Sequence, residues 1–130
     1  MVNKSGKEPT KTGQNSFLIK KNAAVNDWSI HALPAQNGPP VRADGMTVGI
    51  IDMTTDAPHN GEMHPDGDEL LYVISGSGEV TSDESPDALI LGPNESCIIA
   101  KGEWHNVHVV EPAKLIHITP GPGGEHRPLN

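Results

Sequence analysis

From Met46 onward, glycine and proline cut the chain into short apolar stretches at intervals of roughly ten residues. "MTVGIIDMT", "ELLYVIS", "EVTS", "DALILGP", "SCIIAKG", "WHNVHVVEP" and "KLIHITPGPGG" follow one another with no helical period between them. Proline lacks the N–H that a helix or a central strand needs, and glycine readily takes turn conformations. This punctuation leaves room for strands and turns only. The expected fold is therefore all-β, a sandwich or barrel of short antiparallel strands. "GSG" at Gly76–Gly78 is expected to turn a hairpin, with "EVTS" as its return strand.

The composition agrees, with 14 Gly, 12 Pro and 35% hydrophobic residues in 130. That length suits one domain. Residues 1–16 are polar and lysine-bearing, with nothing to bury, and read as a flexible arm. The domain is expected over residues 17–120, opening with the strands "SFLIKK" and "NDWSIHAL" and the loop "PAQNGPP". Trp28 is a core or interface anchor. Residues 121–130, rich in Pro and Gly, cannot continue a sheet and read as a tail.

Charge narrows the function. Five lysines and one acid fall within the first 21 residues, which leaves 4 basic and 16 acidic side chains beyond them. An acidic body repels phosphate backbones, so no nucleic-acid partner is expected. Cys97 is the single cysteine, which excludes an internal disulfide and fits a reducing compartment. No window approaches the ~18 apolar residues of a membrane span, and the first thirty residues hold no apolar h-region of the kind a secretory leader has. A cytoplasmic protein is the expectation.

One stretch is too regular for a solvated turn. In "GEMHPDGDELLYVISG", Gly61–Gly76, Glu62 and His64 lie two apart and share a strand face. Glu69 opens the next strand beyond the Asp66-Gly67 turn and can project toward the same cavity. Further on, "GPNESCIIAKGEWHNVHVV" places Gly102 at a tight turn and His105 on a strand face shared with Val107 and Val109. A polar side chain facing an apolar interior needs a partner. A metal shared with Glu62, His64 and Glu69 would supply one.

These two stretches resemble the two motifs of the cupins, patterns of the form G-x(5)-H-x-H-x(3,4)-E-x(6)-G and G-x(5)-P-x-G-x(2)-H-x(3)-N. His64, Glu69 and Gly76 match the first, and Gly102 and His105 the second, over roughly Met46 to Thr119. Glu62 stands where the first motif has its first histidine, Ala100 where the second has proline, and Val109 where it has asparagine. The segment after Gly92 is also two residues longer than the pattern. The resemblance implies a cupin-like jelly-roll β-barrel holding a divalent metal, with Fe, Mn or Zn fitting two imidazoles and one or two carboxylates.

If Glu62 stays off the metal, His64, Glu69 and His105 form a 2-His-1-carboxylate set suited to an iron oxygenase. If Glu62 does bind, the site is more anionic and less electrophilic; alternatively it can serve as a catalytic base beside the metal, its pKa raised by burial and a second carboxylate, as in a metal-assisted isomerase or lyase. An exposed Glu62, a motif kept without its metal, and a barrel that binds a sugar or organic acid without turnover are the quieter readings. Trp104 and Tyr72 are candidates for lining a substrate pocket, with a core or dimer contact the alternative for Trp104. Asp66, Asp68 and His59 read as surface residues, His108 as exterior, and His117 and Cys97 as core. A small-molecule substrate and a homodimer, its edge strands protected and its N-terminal strand free to cross, complete the expectation.

Overall fold

The structure, a computed structural model, describes residues 9–34 and 43–129. Residues 1–8 of the expected arm and most of the expected 34–40 loop lie outside the described residues. The described residues form strands and no helix: β1 (Ser16–Asn22), β2 (Asp27–Ala32), β3 (Gly45–Met53), β4 (Glu62–Met63), β5 (Glu69–Ser82), β6 (Ser85–Leu91), β7 (Ser96–Ile99), β8 (His105–Gly121) and β9 (Glu125–His126). All pairings are antiparallel. Among the described residues no helix is long and apolar enough to cross a membrane.

The ladder runs β2-β1-β3-β8-β4-β9, with β5 bonded to β6, β7 and β8. Among the described residues it does not close into a complete barrel. Strand alternation builds the interior. Leu71 and Val73 on β5 and Ala113 and Leu115 on β8 are buried while their neighbours face outward. Val80, Leu91 and Ile99 join Leu71, Val73 and Leu115 in one cluster, with Met53, Cys97 and Val107 packed against it.

Two of the strands are not short. β5 spans 14 residues and β8 spans 17, so stretches expected as separate strands are continuous. No hairpin forms at Gly76–Gly78. The reversal comes at Asp83 and Glu84, where Ser82 pairs with Ser85. In place of a turn, the β5–β8 register slips between Val73 and Gly78, and such bulges bend a strand without ending it. Pro112 lies in the irregular part of β8, where no ladder donor is needed. Gly76 has φ +77° and passes so close to the Pro112 carbonyl that a Cβ there would overlap backbone. The sequence cue for positive φ is real; it marks a bend shared by two long strands.

β2 is exposed along its whole length, with Trp28 at 63% and Ile30 at 69%. Within this chain Trp28 is therefore not a core residue.

Gly76 and Gly102 separate two costs. Both have positive φ, but nothing lies within 4 Å of a Cβ added at Gly102. Gly102→Ala is expected to lose about 1–2 kcal/mol, the cost of the left-handed conformation. Gly76→Ala should lose a further ~1–3 kcal/mol from backbone overlap. Urea unfolding of the two variants checks the order, and equal losses would contradict the bend described here.

Candidate metal centre

Backbone pairing gathers the site from four places in the sequence. Glu62, on the two-residue strand β4, pairs with His105 at the start of β8. His64 follows β4 directly, and Glu69 is the first residue of β5. The turn between them is braced. Asp68 Oδ1 accepts the Lys101 N–H at 2.9 Å, and Asp66 accepts the Gly123 N–H. These aspartates, expected to be only solvated, tie the first half of the site to its second half and to the C-terminal segment. Gly102 donates its N–H to the His64 carbonyl at 3.0 Å, which fixes the turn delivering His105 against the strand delivering His64.

The four side chains meet. Glu69 Oε2 stands 3.1 Å from His64 Nε2, and Glu69 Oε1 stands 3.1 Å from His105 Nε2. Glu62 Oε1 lies 3.6 Å from each of those two nitrogens. One ligand atom from each residue falls within 4.8 Å of all the others. The side chains of His105, Glu69 and His64 are 1%, 3% and 5% exposed, and that of Glu62 is 29% exposed. Glu62 is thus the outermost of the four, at the rim of a buried triad.

This donor set fits a divalent cation. Two neutral imidazoles and two carboxylates carry two negative charges, and the ligand types suit iron, manganese or zinc. His64 is more telling than charge. Both its ring nitrogens are buried without a hydrogen-bond partner among the described residues. Its Nε2 is near Glu69 Oε2, yet the oxygen lies off the direction of a ring N–H, so no in-line bond forms. His105 is set by its other nitrogen: Nδ1 donates to the Glu103 carbonyl at 3.1 Å, which leaves Nε2 for the site.

Without a metal the four groups compensate one another. Burial alone would raise the Glu62 carboxyl, but the nearby His105 and His64 imidazoles outweigh it and hold the acid well below its ordinary range. This corrects the expectation that burial and a second carboxylate would raise it: the nearest charges are imidazoles. Burial likewise opposes ionisation of Glu69, and the same two histidines, helped by Thr119, bring it down to about 2. Burial disfavours the charged forms of His64 and His105, yet the two carboxylates raise them to about 9 and about 10.

Other candidates fall elsewhere. Tyr72 alternates with Glu69 and Leu71, so it faces away from the site, and its hydroxyl donates to Asn94 Oδ1 at 2.9 Å. Tyr72 is therefore not a pocket residue. Trp104 is covered by the Arg127 guanidinium, 4.3 Å above its ring centroid. His108 is exterior, held by Asp56 at 3.0 Å. His59 is more than a surface residue. Its Nδ1 accepts the Gly61 N–H, and its Nε2 lies 3.7 Å from Glu62 Oε2.

The C-terminal run does extend the sheet. Glu125–His126 pairs with β4, the Asn60 N–H donates to the Arg127 carbonyl, and the Arg127 N–H donates to the Gly61 carbonyl. Arg127 also forks onto Asp83 at 3.1 and 3.2 Å. Glycine-rich flanks hid this two-residue pairing. The inward Thr119, which donates to Glu69 Oε2 at 2.6 Å, was also missed. The alternation in "LIHITP" is its one sequence signal.

The shifts fix the pH response of the metal-free protein. The histidine contribution is full below the ordinary 6.5 and is lost as pH rises through about 9 to 10. The carboxylate contribution is full above the ordinary 4.5 and is lost as pH falls toward about 2. Thermal unfolding in the presence of a chelator should thus show the melting temperature falling from pH 6.5 to about 10. A saturating divalent metal, which displaces the imidazole protons, should remove that fall. A metal-free melting temperature that climbs over this range would contradict the pairing.

The Cupin domain family matches residues 52–119, just over half of the 130-residue chain. No curated protein shows significant sequence similarity to it. Among solved structures, a cupin-2 domain containing protein from Shewanella frigidimarina is 21% identical with a TM-score of 0.51, over 68% of this chain and 85% of that one. Protein NMB1881 from Neisseria meningitidis is 15% identical with a TM-score of 0.50, over 62% and 80%. Hydroxypropylphosphonic acid epoxidase from S. wedmorenis, in complex with fosfomycin, is 22% identical with a TM-score of 0.48, over 57% of this chain. The chain spans only 43% of that enzyme's length. At these identities the likeness extends to the fold alone. The family match runs through Glu62, His64, Glu69 and His105, and the chain belongs to the cupin family.

Proposed function

We propose that this cupin is a metal-dependent enzyme acting on a small organic molecule, an oxygenase whose metal is held by His64, Glu69 and His105. The observation that carries this reading is the split in burial, with three ligands almost fully enclosed and Glu62 on the open side. A 2-His-1-carboxylate set leaves positions free for substrate and oxygen, and iron bound there would supply the redox chemistry. The chain's own part is to orient both imidazoles, exclude water behind Glu69, and present Glu62 where a substrate would enter. The reading includes a reducing, cytoplasmic setting and no nucleic-acid partner.

One observation favours a second reading, a metal-assisted isomerase or lyase. Glu62 Oε2 faces His59 Nε2, and because His59 Nδ1 accepts the Gly61 N–H, Nε2 carries the ring proton. The donor would orient the ionised carboxylate at the rim, where it could take a substrate proton while a bound metal polarised a carbonyl. A non-catalytic barrel binding a sugar or organic acid is the third outcome.

Elemental mass spectrometry on tag-free protein tests the site first. About one equivalent of metal per chain is expected in the wild type, almost none in His105→Ala, and near-normal content in Glu62→Ala. Oxygen uptake by the iron-loaded protein would support the oxygenase, whereas turnover with zinc or manganese that Glu62→Gln abolishes would support the isomerase or lyase. No metal after anaerobic Fe(II) loading would sink both.

The proposal also includes a homodimer, supported by the exposed β2 with Trp28 and Ile30 uncovered. Sedimentation should give twice the chain mass, and Trp28→Ser with Ile30→Ser should give monomer. A monomeric wild type at micromolar concentration would contradict it.

A further inference from the structure

We infer that Thr119 and His117 are positioning residues for the metal centre, a buried hydrogen-bonded chain that fixes the Glu69 carboxylate from behind. The inference rests on the metal-centre reading above and concerns what holds its one fully buried carboxylate in place.

The register on three neighbouring strands builds this chain. β8 pairs Thr119 with Thr47 and His117 with Gly49 of β3. On its other side it pairs Leu70 with Ile118, which brings Glu69 beside Thr119, and His117 with Leu71. Thr119 is 0% exposed and His117 is 7% exposed. Thr119 Oγ1 lies 2.6 Å from Glu69 Oε2, and His117 Nδ1 lies 2.8 Å from the same hydroxyl.

Donor accounting gives the chain a direction. An ionised carboxylate only accepts, so the single hydroxyl proton of Thr119 goes to Glu69. The hydroxyl oxygen must then accept from His117, which places a proton on Nδ1 of that ring. The order is His117 to Thr119 to Glu69, each link needing the one before.

Gly49 shows that space has been made for the imidazole. A Cβ at this position would overlap His117 Nε2, so glycine is what leaves room for the ring beside β3. The sequence placed His117 in the core as packing alone. Its side chain instead orders a hydroxyl, and the hydroxyl orders a ligand. Outer partners of this kind typically change metal affinity 10–100-fold when removed.

The test uses full-length protein, with Co(II) and Mn(II) alone as probes, titrated by calorimetry and by competition with a chelator. Thr119→Val keeps the shape and removes the hydroxyl; Thr119→Ser restores it. Thr119→Val is expected to weaken binding about 10–100-fold and to change the visible spectrum of bound Co(II), while Thr119→Ser stays near wild type. A structural role alone would lower the melting temperature without altering that spectrum.

His117→Leu, which leaves the threonine in place but without its donor, should weaken binding by a smaller factor. It also serves if Thr119→Val does not fold. Wild-type affinity and spectrum in Thr119→Val or, should that variant not fold, in His117→Leu would overturn the positioning role and leave the centre intact. Equal losses in Thr119→Ser and Thr119→Val would overturn it as well. A wild type that binds neither metal would overturn the centre and this inference together.

Discussion

Removing a carboxylate from water costs several kcal/mol unless charges and donors replace the lost hydration. Glu69 is 3% exposed, and its partners come from every quarter of the fold. His64 arrives after β4, His105 opens β8, and Thr119 lies near the end of β8. Leave out any of the three and a buried charge is undercompensated. The strand pairings that bring them together are therefore conditions for enclosing Glu69, and a divalent cation would complete the set.

The length of β5 and β8 follows from the same requirement. Short strands would place His105 and Thr119 on different elements, each free to shift. One continuous β8 carries both, its pairing with β5 slipping in register where Pro112 lies against Gly76. The core cluster draws on both halves of β5, with Leu71 and Val73 before Gly76 and Val80 after it, packed with Leu115 of β8 and Leu91 of β6. Apolar packing and the polar site are thus set by one pair of strands.

Sequence reasoning reached the class of fold and the four converging side chains because both leave local marks. Gly and Pro spacing excludes helices, and a two-residue offset puts Glu62 and His64 on one face. It missed what depends on distant pairing. Gly76 announces positive φ, but only the close approach of Pro112 on the paired strand decides between a bulge and a hairpin. Asp66 and Asp68 look like turn residues, and they are; that they also accept N–H groups from Gly123 and Lys101 requires knowing where those segments pass. The direction of the Glu62 shift was misjudged for the same reason, since two imidazoles arrive from outside its own strand.

The strand at 125–126 carries a consequence for biosynthesis. Glu62 rides on a two-residue strand held on one side by His105 and on the other by His126, with Arg127 clasping the backbone at Asn60 and Gly61. A ribosome makes β4 long before it makes Arg127. The three enclosed ligands can assemble once β8 has emerged, whereas the Glu62 arm waits for residues made later still. A chain ending just past Gly121 would keep His64, Glu69 and His105 but lose the pairing of His126 and Arg127 with the Glu62 strand, leaving the candidate site complete in its inner residues and unbraced at its rim.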